Sequence, residues 1–77
     1  MKYDLELDVC GLECPLPILR SKKAIASLNA GQLIHVSATD PGSQKDFPAF
    51  SKVTGHLLKE SWESEGVFHF VLQKRPD

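Results

Sequence analysis

The sequence predicts an α/β two-layer sandwich of order βαβαββ, with two helices on one face of a four-stranded mixed sheet. Three observations predict it. Apolar and acidic residues alternate from Tyr3 to Val9, the period of a half-buried strand. Proline-led helix starts follow Cys14 and Asp40. The last third holds two strand-like runs around Ser64-Glu65-Gly66, a hairpin signal. With 77 residues there is room for one core, so a single domain over 1–77 is expected.

Each element has its own reason. Tyr3, Leu5, Leu7 and Val9 point one way and Asp4, Glu6 and Asp8 the other, giving the first strand. Gly11 permits a tight turn, and Pro15 fits the first position of a helix reaching about Leu28. Ile18, Ser21, Ile25 and Leu28 fall on one helical stripe, which Leu19 and Ala26 widen. Asn29-Ala30-Gly31 stops the helix, and Leu33 to Ala38 forms a second strand through a parallel crossover. Asp40 reads as an N-cap with Pro41 in the first turn. The Phe47-Pro48 pair should interrupt that turn, leaving a helix from about Pro48 to Thr54 closed by Gly55. Leu57 to Glu63 and Val67 to Lys74 are the hairpin strands, the latter with Phe68, Phe70 and Leu72 on one face.

Composition excludes several functions. Hydrophobic residues at 42% and charged residues at 25% describe a folding chain rather than a disordered one. Nine Lys and Arg against ten Asp and Glu lack the basic footprint of a nucleic-acid binder. MKYDLELDV has no apolar signal core, and no run approaches a membrane span, so a cytoplasmic location is expected. Two cysteines in such a chain argue for thiol chemistry or packing before a structural disulfide. No insertion builds a deep pocket, so action at the surface with a partner is expected.

The chemistry concentrates in Cys14-Pro15-Leu16-Pro17. Cys14 stands at or just before a helix N-terminus, where orphan N–H groups and the macrodipole favour an anion such as a thiolate. Pro15 and Pro17 stiffen the turn and have no N–H, which leaves Leu16 and Ile18 as the nearby donors. A rigid, outward thiolate suits nucleophilic sulfur chemistry. The alternative is a small buried hydrophobe. His35, His56 and His69 lie on separate elements, which argues against a Cys–His dyad. One Cys-x-x-x-Cys without a second ligand pair argues against a metal centre, and no cofactor is expected.

Taken together, Asp8, Gly11, the Cys14–Pro17 block, Lys22-Lys23, Gly31, Asp40-Pro41, Asp46, Gly55 and the closing aromatic strand resemble the TusA (SirA-like) family, from about Leu5 to Lys74. The resemblance implies a cytoplasmic sulfur carrier rather than a complete enzyme, with Cys14 taking up sulfane sulfur as a persulfide. It implies a cysteine desulfurase or rhodanese-type donor and a DsrE- or TusBCD-like acceptor, in sulfur-compound oxidation, tRNA 2-thiouridine formation or molybdenum-cofactor supply. Neither nucleic acid nor membrane is an expected partner, and a monomer is expected.

Cys10 offers two readings, a resolving thiol for Cys14 or a strand-end residue packed inward, of which packing is favoured. Arg20, Lys22 and Lys23 form a solvated basic stretch that could steer an acidic partner. Glu13 opposes a thiolate by like charge, and Asp46, beside Lys45, is assigned first to capping the helix after Pro48 and second to partner contact; both join Arg20, Lys22 and Lys23 as candidate docking residues. Two rivals remain: a Cys10/Cys14 thiol–disulfide redox protein or sensor, and a non-catalytic interaction domain.

Overall fold

In the computed structural model, which describes residues 3–76, the elements run β1 (Leu5–Asp8), α1 (Leu16–Ile25), β2 (Leu33–Ala38), α2 (Ser43–Thr54), β3 (Leu57–Ser64) and β4 (Val67–Gln73). The order is the expected βαβαββ. Strands lie as β1-β2-β4-β3, with β1 and β2 parallel and the other two pairs antiparallel. Ile34, Val36 and Ala38 of β2 alternate into the core, as do Phe70 and Leu72 of β4. Val9, Ile25, Phe47 and Phe50 close it from the loop and the helices.

Boundaries differ for physical reasons. β1 is shorter than its alternation, yet the Asp4 and Val9 N–H groups still donate to Leu33 and Ser37 carbonyls at 2.9 and 2.8 Å. α1 leaves α geometry after Ile25 rather than near Leu28. The Ser27 and Leu28 N–H groups there donate three residues back, to Ala24 and Ile25. Its buried face is Pro17, Ser21 and Ile25, and the Ser21 hydroxyl is satisfied by donating to the Pro17 carbonyl at 2.8 Å.

α2 corrects the sequence reading most. It is one helix from Ser43 to Thr54, with Pro48 inside it. An internal proline costs about 3 kcal/mol. Burying each of Phe47 and Phe50, which share a face with Ser43, returns about 1.5–3 kcal/mol. Gln44, whose carbonyl loses its donor to Pro48, is exposed and open to solvent. Tertiary burial therefore overrides the local rule. The hairpin turns on Glu65 and Gly66, both with positive φ (52° and 79°), the pattern a two-residue turn requires.

The fold also carries an acid-sensitive element. His56 is buried, and its Nδ1 accepts the Arg75 N–H at 3.1 Å. Burial first, then the charges of Lys74 and Arg75, hold it below the ordinary histidine range. Burial and the neighbouring His35 hold His69 down in the same direction. Unfolding exposes both to protonation, so their contribution is complete above the ordinary histidine pKa, about 6.5, and is lost as pH falls through the depressed range. The urea midpoint should therefore drop from pH 7.5 to 5.5, and less so in His56→Asn; an equal drop in both would remove His56 from the account.

Candidate functional site

Because β1 and β2 are parallel neighbours, their C-terminal ends put two loops on one rim of the sheet. The first runs from Val9 to Pro15 and the second from Thr39 to Gly42. Val9 anchors the first loop in the core. Gly11, at φ 83°, turns the chain so that its N–H donates to Thr39 Oγ1 at 2.8 Å. The Cys14 N–H donates to Asp40 Oδ2 at 3.2 Å. Pro15 is the N-cap of α1, the Cys14–Pro15 peptide bond is cis, and Cys14 stands just before the helix.

Cys14 is exposed and free. Its sulfur and one carboxylate oxygen each from Asp40 and Asp46 lie within 4.8 Å of one another. These carboxylates oppose the thiolate that a helix start favours. Hydrogen bonding to Asp46 pushes the Cys14 thiol up, followed by desolvation and the charges of Asp46 and then Asp40. The N-terminus of α1 presents few backbone donors against them. Two of its first residues are prolines without N–H, and the Leu16 N–H is already donated to the Glu13 carbonyl at 2.9 Å. The prolines thin the donors at the helix end to those of Leu16, already engaged, and Ile18.

Three further assignments change. Asp46 lies inside the first turns of α2 and faces the thiol instead of capping a later helix. Asp40 does not cap α2 with its side chain: the N-cap is Gly42, and the Asp40 carboxylate serves Cys14. The like charges acting on Cys14 are these two aspartates and not Glu13. Gly42 fits this corner closely, since a Cβ there would come within 3.0 Å of Asp40 Oδ2. The three converging groups are close enough to share one cation, although exposed acidic groups are common without one.

From the thiol, an apolar groove of about 330 Å³ runs between the helices, lined by Pro15, Ile18, Ala49, Phe50 and Val53 beside Cys14 and Asp46. Leu16, Leu19 and Val53 are exposed large apolar side chains on the helices, and Arg20, Lys22 and Lys23 are exposed on α1. Cys10 is exposed rather than packed inward, its N–H donating to Asp8 Oδ1 at 2.9 Å. Desolvation, then Asp8, pushes its thiol up. It lines a separate hollow with Glu6, Leu7, Asp8, Ser37 and Val67.

The sequence reading also treated the histidines as scattered, whereas β2 and β4 bring His35 and His69 to 2.9 Å, Nε2 to Nδ1. Both occupy outward positions of their strands. The strand order that makes them neighbours was the missing information.

Fold and site together define a small α/β thiol protein that presents its sulfur to solvent at the rim of a two-layer sandwich. The chain belongs to the TusA family: the family model described as Sulfurtransferase TusA matches residues 5–74. It is 58% identical over 72 residues to the sulfur carrier protein TusA of Allochromatium vinosum, covering 94% of this chain and 95% of that one. The corresponding carrier of Pseudomonas putida (strain GB-1) is 38% identical over 74 residues, covering 96% and 92%. A SirA-like protein from Desulfitobacterium hafniense superposes with a TM-score of 0.81 at 27% identity, covering 92% of this chain and 97% of that one. Among the described residues no helix is long and apolar enough to cross a membrane.

Proposed function

We propose that this chain is a sulfur carrier that holds sulfane sulfur as a persulfide on Cys14 and hands it to a second protein. The observation that carries the reading is an exposed thiol opening onto an apolar inter-helix groove, in a chain matched to the TusA family over nearly its whole length. The named relatives are sulfur carriers, which makes a carrier rather than a self-sufficient enzyme the reading for this chain.

Loading is an exchange at sulfur. The Cys14 thiolate attacks the outer sulfur of a donor persulfide, the donor's S–S bond breaks, and the donor cysteine leaves as a thiolate that takes up the proton Cys14 gave up. Release is the same step with Cys14 as the leaving group. A cysteine desulfurase or rhodanese-type protein would supply the sulfur and a DsrE- or TusBCD-like protein would accept it. The acceptor, rather than this chain, would decide between sulfur oxidation and tRNA thiolation.

The two aspartates give this exchange a condition. They hold Cys14 as a thiol at rest, so loading is favoured where a donor brings positive charge against Asp40 and Asp46. The apolar groove gives such a donor area to bury.

Intact mass under non-reducing conditions tests the reading, after incubation with a persulfidated donor. The wild type and Cys10→Ser should each gain one or more sulfur atoms, and Cys14→Ser none. Loss of two hydrogens requiring both cysteines would support the redox-pair reading instead.

A further inference from the structure

The apolar groove that opens at Cys14 continues past its apolar lining. Phe50 and Val53 also line a second hollow, of about 390 Å³, together with Lys22 of α1, Thr54 of α2, and Lys74 and Arg75 just beyond β4. The two hollows adjoin in one cleft, along which α2 rises about 12 Å from Asp46 at the thiol end to Thr54 at the other. Between the ends stands Val53, 85% exposed and the most exposed of the large apolar side chains described.

The ends carry opposite charge, and neither is neutralised from within. Among the described residues no cation pairs with Asp40 or Asp46, and no carboxylate pairs with Lys22, Lys74 or Arg75. The cationic end is built into the fold. The Lys74 N–H donates to the Gln32 carbonyl at 2.8 Å, and the Lys74 carbonyl accepts the Gly31 N–H at 2.9 Å. Arg75 donates from its N–H to His56 Nδ1 at 3.1 Å and from Nη1 to the Thr54 carbonyl at 2.6 Å. That engages the guanidinium at the end of α2 and leaves the ammonium groups of Lys22 and Lys74 to a partner.

We propose, on the carrier reading above, that this cleft seats an apolar segment of the sulfur donor, laid along it with a cationic side chain over Asp40 and Asp46 and a carboxylate against Lys22 and Lys74.

A donor charged with one sign would gain at one end and be repelled at the other, whereas matched ends gain at both. The order of the charges also fixes which way the segment lies, so its persulfide arrives at Cys14 and not at the far end. A second copy of this chain is the rival occupant, since turned end for end its acids would meet these cations. Seated so, it would cover Cys14 while placing its own thiol at the cationic end, where no exchange occurs. The donor is the occupant that uses the thiol.

The test measures sulfur transfer from a cysteine desulfurase supplied with L-cysteine, beside loading of Cys14 from inorganic polysulfide, which exchanges without docking. Lys22→Glu, Lys74→Glu should lower the ratio of the two rates about tenfold or more, with the loss in KM for the desulfurase and deepest at low salt. Val53→Asp should lower it as well, and so should Asp46→Asn at the other end. Loss on removing charge of either sign is the mark of a two-ended partner. Lys59→Glu on β3, outside the cleft, should leave the ratio at the wild-type value. Lys22→Gln, Lys74→Gln adds no acid to the last turn of α1 and should show a smaller fall in the same direction even where the Glu pair fails to fold. Faster transfer in the Lys22, Lys74 variants would mean a donor cationic along its whole length, and would overturn the proposal. An unchanged ratio, or an equal fall in Lys59→Glu, would do the same. So would a dimer in sedimentation equilibrium that Val53→Asp dissociates, which would give the cleft to a second copy. Failure of the wild type to load from either source would remove the carrier reading itself, and this one with it.

Discussion

Phe47→Ala is expected to remove about 3–5 kcal/mol, a third or more of the stability of the fold. Phe47 has no exposed surface and stacks on Phe70 with ring centroids 4.3 Å apart, so it is the contact that fastens α2 onto the central strand β4. Emptying such a site costs about 3–5 kcal/mol through lost burial and the cavity left behind. A domain of this length has a total of about 4–12 kcal/mol at the usual 0.05–0.15 kcal/mol per residue. The loss also removes the burial that offsets Pro48, so the helix should fail with the core. Circular dichroism and a urea titration would read the effect, with Phe47→Leu as the partner variant that keeps much of the volume and a cooperative, weaker transition. A cooperative Phe47→Ala transition with a near-unchanged midpoint would show that α2 is held elsewhere.

The same residue shows where sequence reading reaches and where it stops. Strands were legible because alternation in β1 and β2 is a local signal, and the sheet that uses it keeps the same period. The hairpin was legible because Glu65-Gly66 is itself the turn. α2 was not, because the local penalty at Phe47-Pro48 is overcome by partners on β4, a contact the chain makes only once folded. Cys14 followed the same division. Its place just before a proline-built helix was readable, whereas the two carboxylates that set its acidity come from residues separated from it in sequence by 26 positions or more. His35 and His69, 34 residues apart, became neighbours only through the β2–β4 pairing.

Asp46→Asn is expected to change the two reactivities of Cys14 in opposite directions. Asp46 is the largest cause of the raised thiol, first through its hydrogen bond and then through its charge, with Asp40 contributing charge after it. Only the thiolate is alkylated, and one pKa unit changes its population tenfold well below the pKa. Removing the carboxylate should therefore move the pH profile of iodoacetamide alkylation to lower pH and raise the rate at pH 7.5 severalfold. Asp40→Asn should move it less, since Asp40 acts on the sulfur through charge alone while its Oδ2 holds the Cys14 N–H. Transfer from a persulfidated protein donor should fall in Asp46→Asn, most at low salt, because the variant gives up the negative charge that a cationic donor surface would meet. A small reagent feels only the acidity of the thiol; a protein donor also feels the field around it. Faster alkylation with equally faster transfer would mean that the aspartate merely restrains the thiol and takes no part in donor recognition. An unshifted alkylation profile would remove Asp46 from the control of Cys14 altogether.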